Sequence, residues 1–258
     1  MAPIGPKCID SALHLQPELA YKLMLKLAAK FIMETWPVAT ALDVLDRYSA
    51  NRMTELGMIS QAFQFAAINN VGGDYMEFGL WQGKTFCFAH RMKRRFRFNA
   101  MMLWGFDSFA GLPDVTAEQD NVWQTGEFSC SEEQFRNILK RRGVRPEEYG
   151  LIPGFYAESL NDDLHKRLKG RKAAIVYIDC DLYISTIQVL RFLPQYLSNG
   201  TIICFDDYYS YKGAPDQGEQ RAIGEFLASH PQFQFLPYFD YCPVGKSFIV
   251  RITERINV

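Results

Sequence analysis

The chain has 258 residues, of which 48% are hydrophobic and 22% charged, and its formal net charge is −1. A hydrophobic share this high with almost no net charge excludes a disordered chain. The charge balance also argues against a dedicated nucleic-acid binder, which carries a basic excess.

Taken in chain order, residues 1–70 read as a helical extension. Leu19 to Met33 is apolar apart from Tyr21 and a face of Lys22, Lys26 and Lys30, which predicts a helix packed on the main domain rather than on a membrane. A second helical stretch runs over 53–69. The N-terminus has no charged-then-apolar leader, and no apolar run approaches the roughly 20 residues of a membrane span. The cysteines, Cys8, Cys87, Cys130, Cys180, Cys204 and Cys242, include no CxxC pair, and several sit inside apolar runs. That pattern predicts free core thiols, a reducing and hence cytoplasmic compartment, and no structural zinc.

From residue 71 strands and helices alternate. Strands are predicted at 74–79, 101–107, 151–154, 173–179 and 201–205, with helices at 83–97, 159–169, 185–197 and 217–229. Two further strands, 233–240 and 246–252, are joined by a short connection and form a hairpin. The α/β alternation implies right-handed crossovers and a seven-stranded, mostly parallel sheet with helices on both faces, its last strand antiparallel. Residues 71–258 form this domain. Ligands bind such sheets at the carboxyl ends of the strands, so the residues just beyond each strand carry most functional information.

After the first strand comes Glu77-Phe78-Gly79-Leu80-Trp81-Gln82-Gly83-Lys84-Thr85. The dinucleotide fingerprint needs glycine at 81 and 84, where Trp and Lys stand. The phosphate-loop pattern needs glycine at 78, where Phe stands. E-x-G-x-x-x-G remains, the glycine loop of Rossmann-like methyltransferases, in which Gly79 admits a ligand to the backbone and Gly83 opens the next helix. The second strand ends on Asp107-Ser108. An acid there can accept hydrogen bonds from ribose hydroxyls, although Asp and Ser also serve as caps. The fourth strand ends on Asp179-Cys180-Asp181 and the fifth on Asp206-Asp207. Capping explains one or two of these aspartates but not four. Like charges brought that close need a cation, and hard oxygen donors select Mg²⁺, Mn²⁺ or Ca²⁺.

These segments resemble a known family. Gly73-Asp74-Tyr75-Met76-Glu77-Phe78-Gly79-Leu80-Trp81-Gln82-Gly83 is similar to its G-D-F/Y-x-E-x-G-V/L-W-R/K-G-G segment. Asp107-Ser108-Phe109-Ala110-Gly111-Leu112-Pro113 is similar to its D-S-F-x-G-L-P. Asp179 to Thr186 follows D-x-D-x-Y-x-S-T, and Asp206-Asp207-Tyr208 follows D-D-Y. Together, over roughly 70–250, they resemble the TylF/MycF-like (macrocin) O-methyltransferases, which methylate sugar hydroxyls of natural products. The resemblance implies a Rossmann-like class I methyltransferase fold, S-adenosylmethionine, Mg²⁺, a small-molecule hydroxyl acceptor and a homo-oligomer.

Carried over by position, Glu77, Phe78, Gly79, Trp81, Gly83, Lys84 and Thr85 would hold the methionine part of the cofactor. Asp107 with Ser108 would hold the ribose, Phe155 and Tyr156 would lie near the adenine, and Asp179 would also border the cofactor. Asp206, Asp207 and one of Asp179 and Asp181 would hold the metal. Asp179 is the favoured ligand and Asp181 the favoured base, with the reverse split open. Departures from the pattern are Gln82 and Lys84 in place of Arg and Gly, and a longer, more polar stretch from Tyr208 to Gln220. The loop 109–130, with Trp123 and Phe128, and residues 1–70 are expected to shape the acceptor pocket. A metal-independent methyltransferase and a non-catalytic cofactor-binding relative are the rival readings. The basic run from Arg91 to Arg97 reads as a solvated helix end, where cations complement the macrodipole.

Overall fold

The computed structural model describes residues 54–115 and 123–253, all within one unit, Ser49–Val258. The expected helix over Leu19–Met33 lies outside the described residues, as does Cys8. Helix α1, Glu55–Ile68, starts where Thr54 Oγ1 accepts the Gly57 N–H at 3.1 Å, a cap contributing about 1 kcal/mol. Then follow β1 (Asp74–Phe78), α2 (Lys84–Arg95), β2 (Leu103–Asp107), α3 (Glu132–Arg141), β3 (Tyr149–Pro153) and the short α4 (Tyr156–Ser159) and α5 (Asp162–Arg167). The chain continues through β4 (Ala173–Ile178), α6 (Tyr183–Phe192), β5 (Ile202–Phe205), α7 (Gly218–Ser229), β6 (Phe233–Tyr241) and β7 (Gly245–Ile252).

The strands form one seven-stranded sheet in the order β3-β2-β1-β4-β5-β7-β6. Pairings among β1 to β5 are parallel, and β7 is antiparallel to both its neighbours. The predicted class I methyltransferase topology is therefore the observed one. The central strands are buried on both faces, which explains their unbroken apolar runs. Period-2 alternation divides each strand between two cores. Tyr75, Leu103, Ile175, Tyr177 and Cys204 face α1, α2 and α3 through Phe63, Phe86 and Phe135. Met76, Phe106, Val176, Ile178 and Phe205 face α5, α6 and α7 through Leu164, Leu190 and Phe226. Cys87, Cys130, Cys180 and Cys204 are buried free thiols, and Cys242 is a half-buried one.

Helix α3 has no counterpart in the predicted elements. Only Phe135 and Leu139 of its ten residues are buried, too few to produce a periodic apolar signal. Its cue is the capping box, in which Gln134 N–H donates to Ser131 Oγ at 3.2 Å and Ser131 N–H donates to Gln134 Oε1 at 3.0 Å. No helix among the described residues is long and apolar enough to cross a membrane.

Candidate active site

Strand register assembles the site. Phe78 pairs with Phe106 and Ile178, and Ile178 pairs with Phe205. The ladder runs one residue further: Gly79 N–H donates to Phe106 O, Asp179 N–H to Phe78 O and Asp206 N–H to Ile178 O, at 2.8–2.9 Å. Gly79, Asp107, Asp179 and Asp206 therefore stand side by side at the carboxyl rim. The strand order reverses here, between β1 and β4, which is where ligands bind in open α/β sheets. A cleft of ≈ 560 Å³ opens at this point.

The glycine loop forms one wall. Gly79 has φ +90°, and a Cβ there would stand 1.7 Å from the Asp179 carbonyl oxygen, so no side chain fits. The loop is tied to β2 through Asp107. Its Oδ2 accepts the N–H groups of Leu80 (2.6 Å) and Trp81 (3.3 Å), and its Oδ1 accepts that of Phe109 (2.6 Å). A carboxylate has about four acceptor positions, so Asp107 fixes two loops and keeps one position for the cleft.

Among the expected cofactor residues, Gly79, Trp81, Asp107, Ser108, Phe155, Tyr156 and Asp179 line the cleft, while Glu77, Phe78, Gly83, Lys84 and Thr85 do not. Glu77 is fully buried beneath it and accepts from Tyr75 Oη (2.5 Å) and Thr85 Oγ1 (2.6 Å). Burial pushes its carboxyl up to about 8 against the pull of those two hydroxyls. Phe78 stacks on Phe106 in the core, and Lys84 pairs with Glu55 of α1. Of the loop expected to bound the acceptor, Trp123 and Phe128 line the cleft; residues 116–122 lie outside the described residues.

The four rim aspartates divide unevenly. Asp179, Asp181 and Asp207 each bring one carboxylate oxygen within 4.8 Å of the others. Asp206 lines the same cleft but accepts from Tyr177 Oη at 2.5 Å and is not in that triplet. Asp181 owes its position to a left-handed backbone, φ 61°, which Asp tolerates better than most residues. Burial and then the neighbouring carboxylates hold Asp179 and Asp181 well above the usual range. Asp206 is pushed up to about 6, again first by burial. Asp207 is anchored twice. Its N–H donates to Glu219 Oε2 at 3.1 Å, and its Oδ1 accepts from Ser210 Oγ at 2.9 Å. Glu219, at the start of α7, is a fifth buried acid here, and twelve residues of sequence from Asp207 hid its role. The loop after Asp207 is held by Lys246 Nζ, which donates to Tyr209 Oη (2.9 Å) and Asp240 Oδ1 (2.7 Å).

The profile of the macrocin-O-methyltransferase (TylF) family matches residues 36–230. The chain belongs to this family. A curated relative, the 8-demethyl-8-(2,3-dimethoxy-alpha-L-rhamnosyl)-tetracenomycin-C 4'-O-methyltransferase of Streptomyces olivaceus, is 31% identical over 147 residues, 54% of each chain. Mycinamicin III 3''-O-methyltransferase of Micromonospora griseorubida is 26% identical over 165 residues, 60% of this chain and 63% of its own. The chain thus spans between half and two-thirds of these curated relatives. The O-methyltransferase NovP has a similar fold, with a TM-score of 0.64 at 23% identity over 76% of this chain and 79% of its own. The calicheamicin methyltransferase CalS11 gives 0.64 at 21% identity over 96% and 99%.

Proposed function

We propose that this protein is an S-adenosylmethionine-dependent, divalent-cation-assisted O-methyltransferase whose acceptor is a hydroxyl on a natural-product sugar. The observation that carries the reading is the Asp179, Asp181 and Asp207 triplet beside a glycine loop at the strand reversal. The family membership and the rhamnosyl acceptor in the name of the Streptomyces olivaceus relative support it.

The donor set suits a hard cation. Three carboxylate oxygens converge, and no Lys, Arg or His lines the cleft among the described residues, so no protein cation balances them. Asp179 and Asp207 would hold the ion, with Asp206, turned toward Tyr177, completing the acidic surround. A cation held there supplies positive charge that lowers the pKa of an acceptor hydroxyl.

The remaining work falls to the chain itself. Gly79 lets the methyl donor lie against backbone, and Asp107 offers its free acceptor position to ribose hydroxyls. Asp181, opening onto the cleft, takes the proton released when the acceptor oxygen accepts the methyl group. A cleft fixed by backbone hydrogen bonds on both sides holds the reactants in line, and such positioning supplies much of the rate.

The test is methyl transfer to a simple rhamnoside with S-adenosylmethionine and Mg²⁺, followed as S-adenosylhomocysteine released. The expected result is turnover abolished by EDTA and restored by excess Mg²⁺. Turnover indifferent to EDTA removes the cation from the mechanism, and no transfer to any sugar hydroxyl removes the activity.

A further inference from the structure

One hydroxyl in the core sets Asp206 apart from the other rim aspartates. Tyr177 is the only polar side chain of β4 and is fully buried. It packs in the core shared by Phe63 and Phe86, where a phenylalanine would fill the same space. Burying a hydroxyl is costly unless it finds a partner, so this one is present for what it bonds.

Register supplies that partner. Tyr177 pairs with Cys204 across β4 and β5, and strand alternation puts Asp206, two residues further on, on the same face. Tyr177 Oη donates to Asp206 Oδ1 at 2.5 Å, a length typical of a charge-assisted O–H···O bond. A second phenol backs the first. Tyr241 is buried with its ring centroid 6.5 Å from that of Tyr177, in space that a Cβ on Gly245 would invade. Its hydroxyl makes no hydrogen bond of good geometry and faces the same carboxyl. Asp179, Asp181 and Asp207, by contrast, converge within 4.8 Å, and Asp206 stays out of that set although it lines the same cleft.

We infer that Tyr177 is a positioning residue that withholds Asp206 from the cation and so keeps the protein's carboxylate donors at three. The inference deepens the proposed function and rests on it for the presence of the ion. Its consequence is room. Mg²⁺ holds an octahedral shell, and a fourth carboxylate would occupy a position otherwise open to acceptor hydroxyls or water. Releasing Asp206 should therefore tighten the ion and crowd the acceptor.

The experiment is calorimetric titration of Mg²⁺ into metal-free full-length protein at pH 8, in wild type, Tyr177→Phe, Asp206→Asn and the double variant. Tyr177→Phe keeps the ring and removes the clamp, and it is expected to bind Mg²⁺ about fivefold or more tightly than wild type. In the Asp206→Asn background the same substitution is expected to change affinity by less than about twofold, because no carboxylate remains to be released. A general loosening of the core would act in both backgrounds. Asp206→Asn alone is expected to weaken Mg²⁺ by less than about tenfold, and this variant decides the matter if Tyr177→Phe does not fold. Unchanged or weaker binding in Tyr177→Phe overturns the inference, as does tightening that persists without Asp206 or loss of saturable binding in Asp206→Asn. Wild-type protein that binds no Mg²⁺ overturns the cation site itself, and the inference with it. Turnover with a rhamnoside, S-adenosylmethionine and saturating Mg²⁺ gives a further readout. Tyr177→Phe is expected to raise KM for the rhamnoside more than it lowers kcat, and a fall in kcat with KM unchanged overturns the inference. Mg²⁺ binding in the expected order without any methyl transfer would count against the proposed function and leave the role of Tyr177 standing.

Discussion

Buried acids at the two ends of the sheet show how differently this fold treats negative charge. Asp74 opens β1 at the amino rim and is 3% exposed. Its carboxylate accepts from Met102 N–H and Trp104 Nε1, both at 2.9 Å, and from Arg171 Nη1 at 3.1 Å. Every part of that charge has a partner within the chain. Asp181 and Asp207, at the carboxyl rim, are nearly as buried, at 8% and 7%, yet their closest charged neighbours are each other and further carboxylates. A buried charge with its partner in place is architecture. A buried set of carboxyls without a basic partner is what the proposed function reads as a cation site, and burial and mutual repulsion hold two of its members, Asp179 and Asp181, well above the usual carboxylate range.

The contrast can be broken first at the carboxyl rim. Asp207→Asn is expected to lower turnover by roughly a thousandfold, equivalent to about 4 kcal/mol of transition-state stabilisation. In chelator-treated protein its melting temperature should equal or exceed that of the wild type, because one of several repelling charges is gone. Steady-state kinetics and a thermal melt on the same preparation check both halves.

The amino rim should behave in the opposite way. Asp74→Ala leaves Trp104 Nε1 without its buried acceptor, and stability is expected to fall by about 3 kcal/mol. Turnover per folded molecule should stay within about twofold of the wild type. Urea unfolding with active-site titration separates the two.

These outcomes bear on what was legible beforehand. Asp107, Asp179 and Asp206 were readable because each ends an apolar run, and a parallel ladder must align such ends. The partition among the rim aspartates was not readable. Tyr177, which draws Asp206 aside, is the last but one residue of β4 and looks like ordinary core, and Glu219 reaches the cluster only because α7 packs back under the rim. Asp74 was visible within a family segment, but Arg171 lies 97 residues away, and no local pattern joins them. Lys84, read as a cofactor residue from its place in the loop, faces α1 because the first turn of α2 points its side chain away from the cleft.

A pH series sharpens the comparison further. Burial raises Asp206 from 3.8 to about 6 and Glu77 from 4.5 to about 8. A carboxyl group with a raised folded pKa binds its proton more tightly when folded, so its contribution is full below about pH 4 and is lost as pH rises through the folded value. The metal-free wild type should therefore lose stability between pH 4 and 6 more steeply than Asp206→Asn. Glu77→Gln should remove a further decline extending to about pH 8. Melting temperatures across that range check the ordering.

The smallest expected effect belongs to a charge that is paired but partly in water. Lys246 meets Asp240, whose side chain is 64% exposed, and exposed pairs contribute at most about 1 kcal/mol. Lys246→Met also removes the hydrogen bond to Tyr209 Oη and should cost about 1 to 2 kcal/mol in unfolding free energy, measured by urea titration.

The most direct test of the cation site is Mg²⁺ titration at pH 8 followed by melting temperature, in wild type and Asp207→Asn. An ion that binds the folded state alone raises stability as RT ln(1 + [L]/Kd). The account predicts a saturable rise in the wild type and none in Asp207→Asn. A wild-type melting temperature that ignores Mg²⁺, or an equal rise in both proteins, would contradict it.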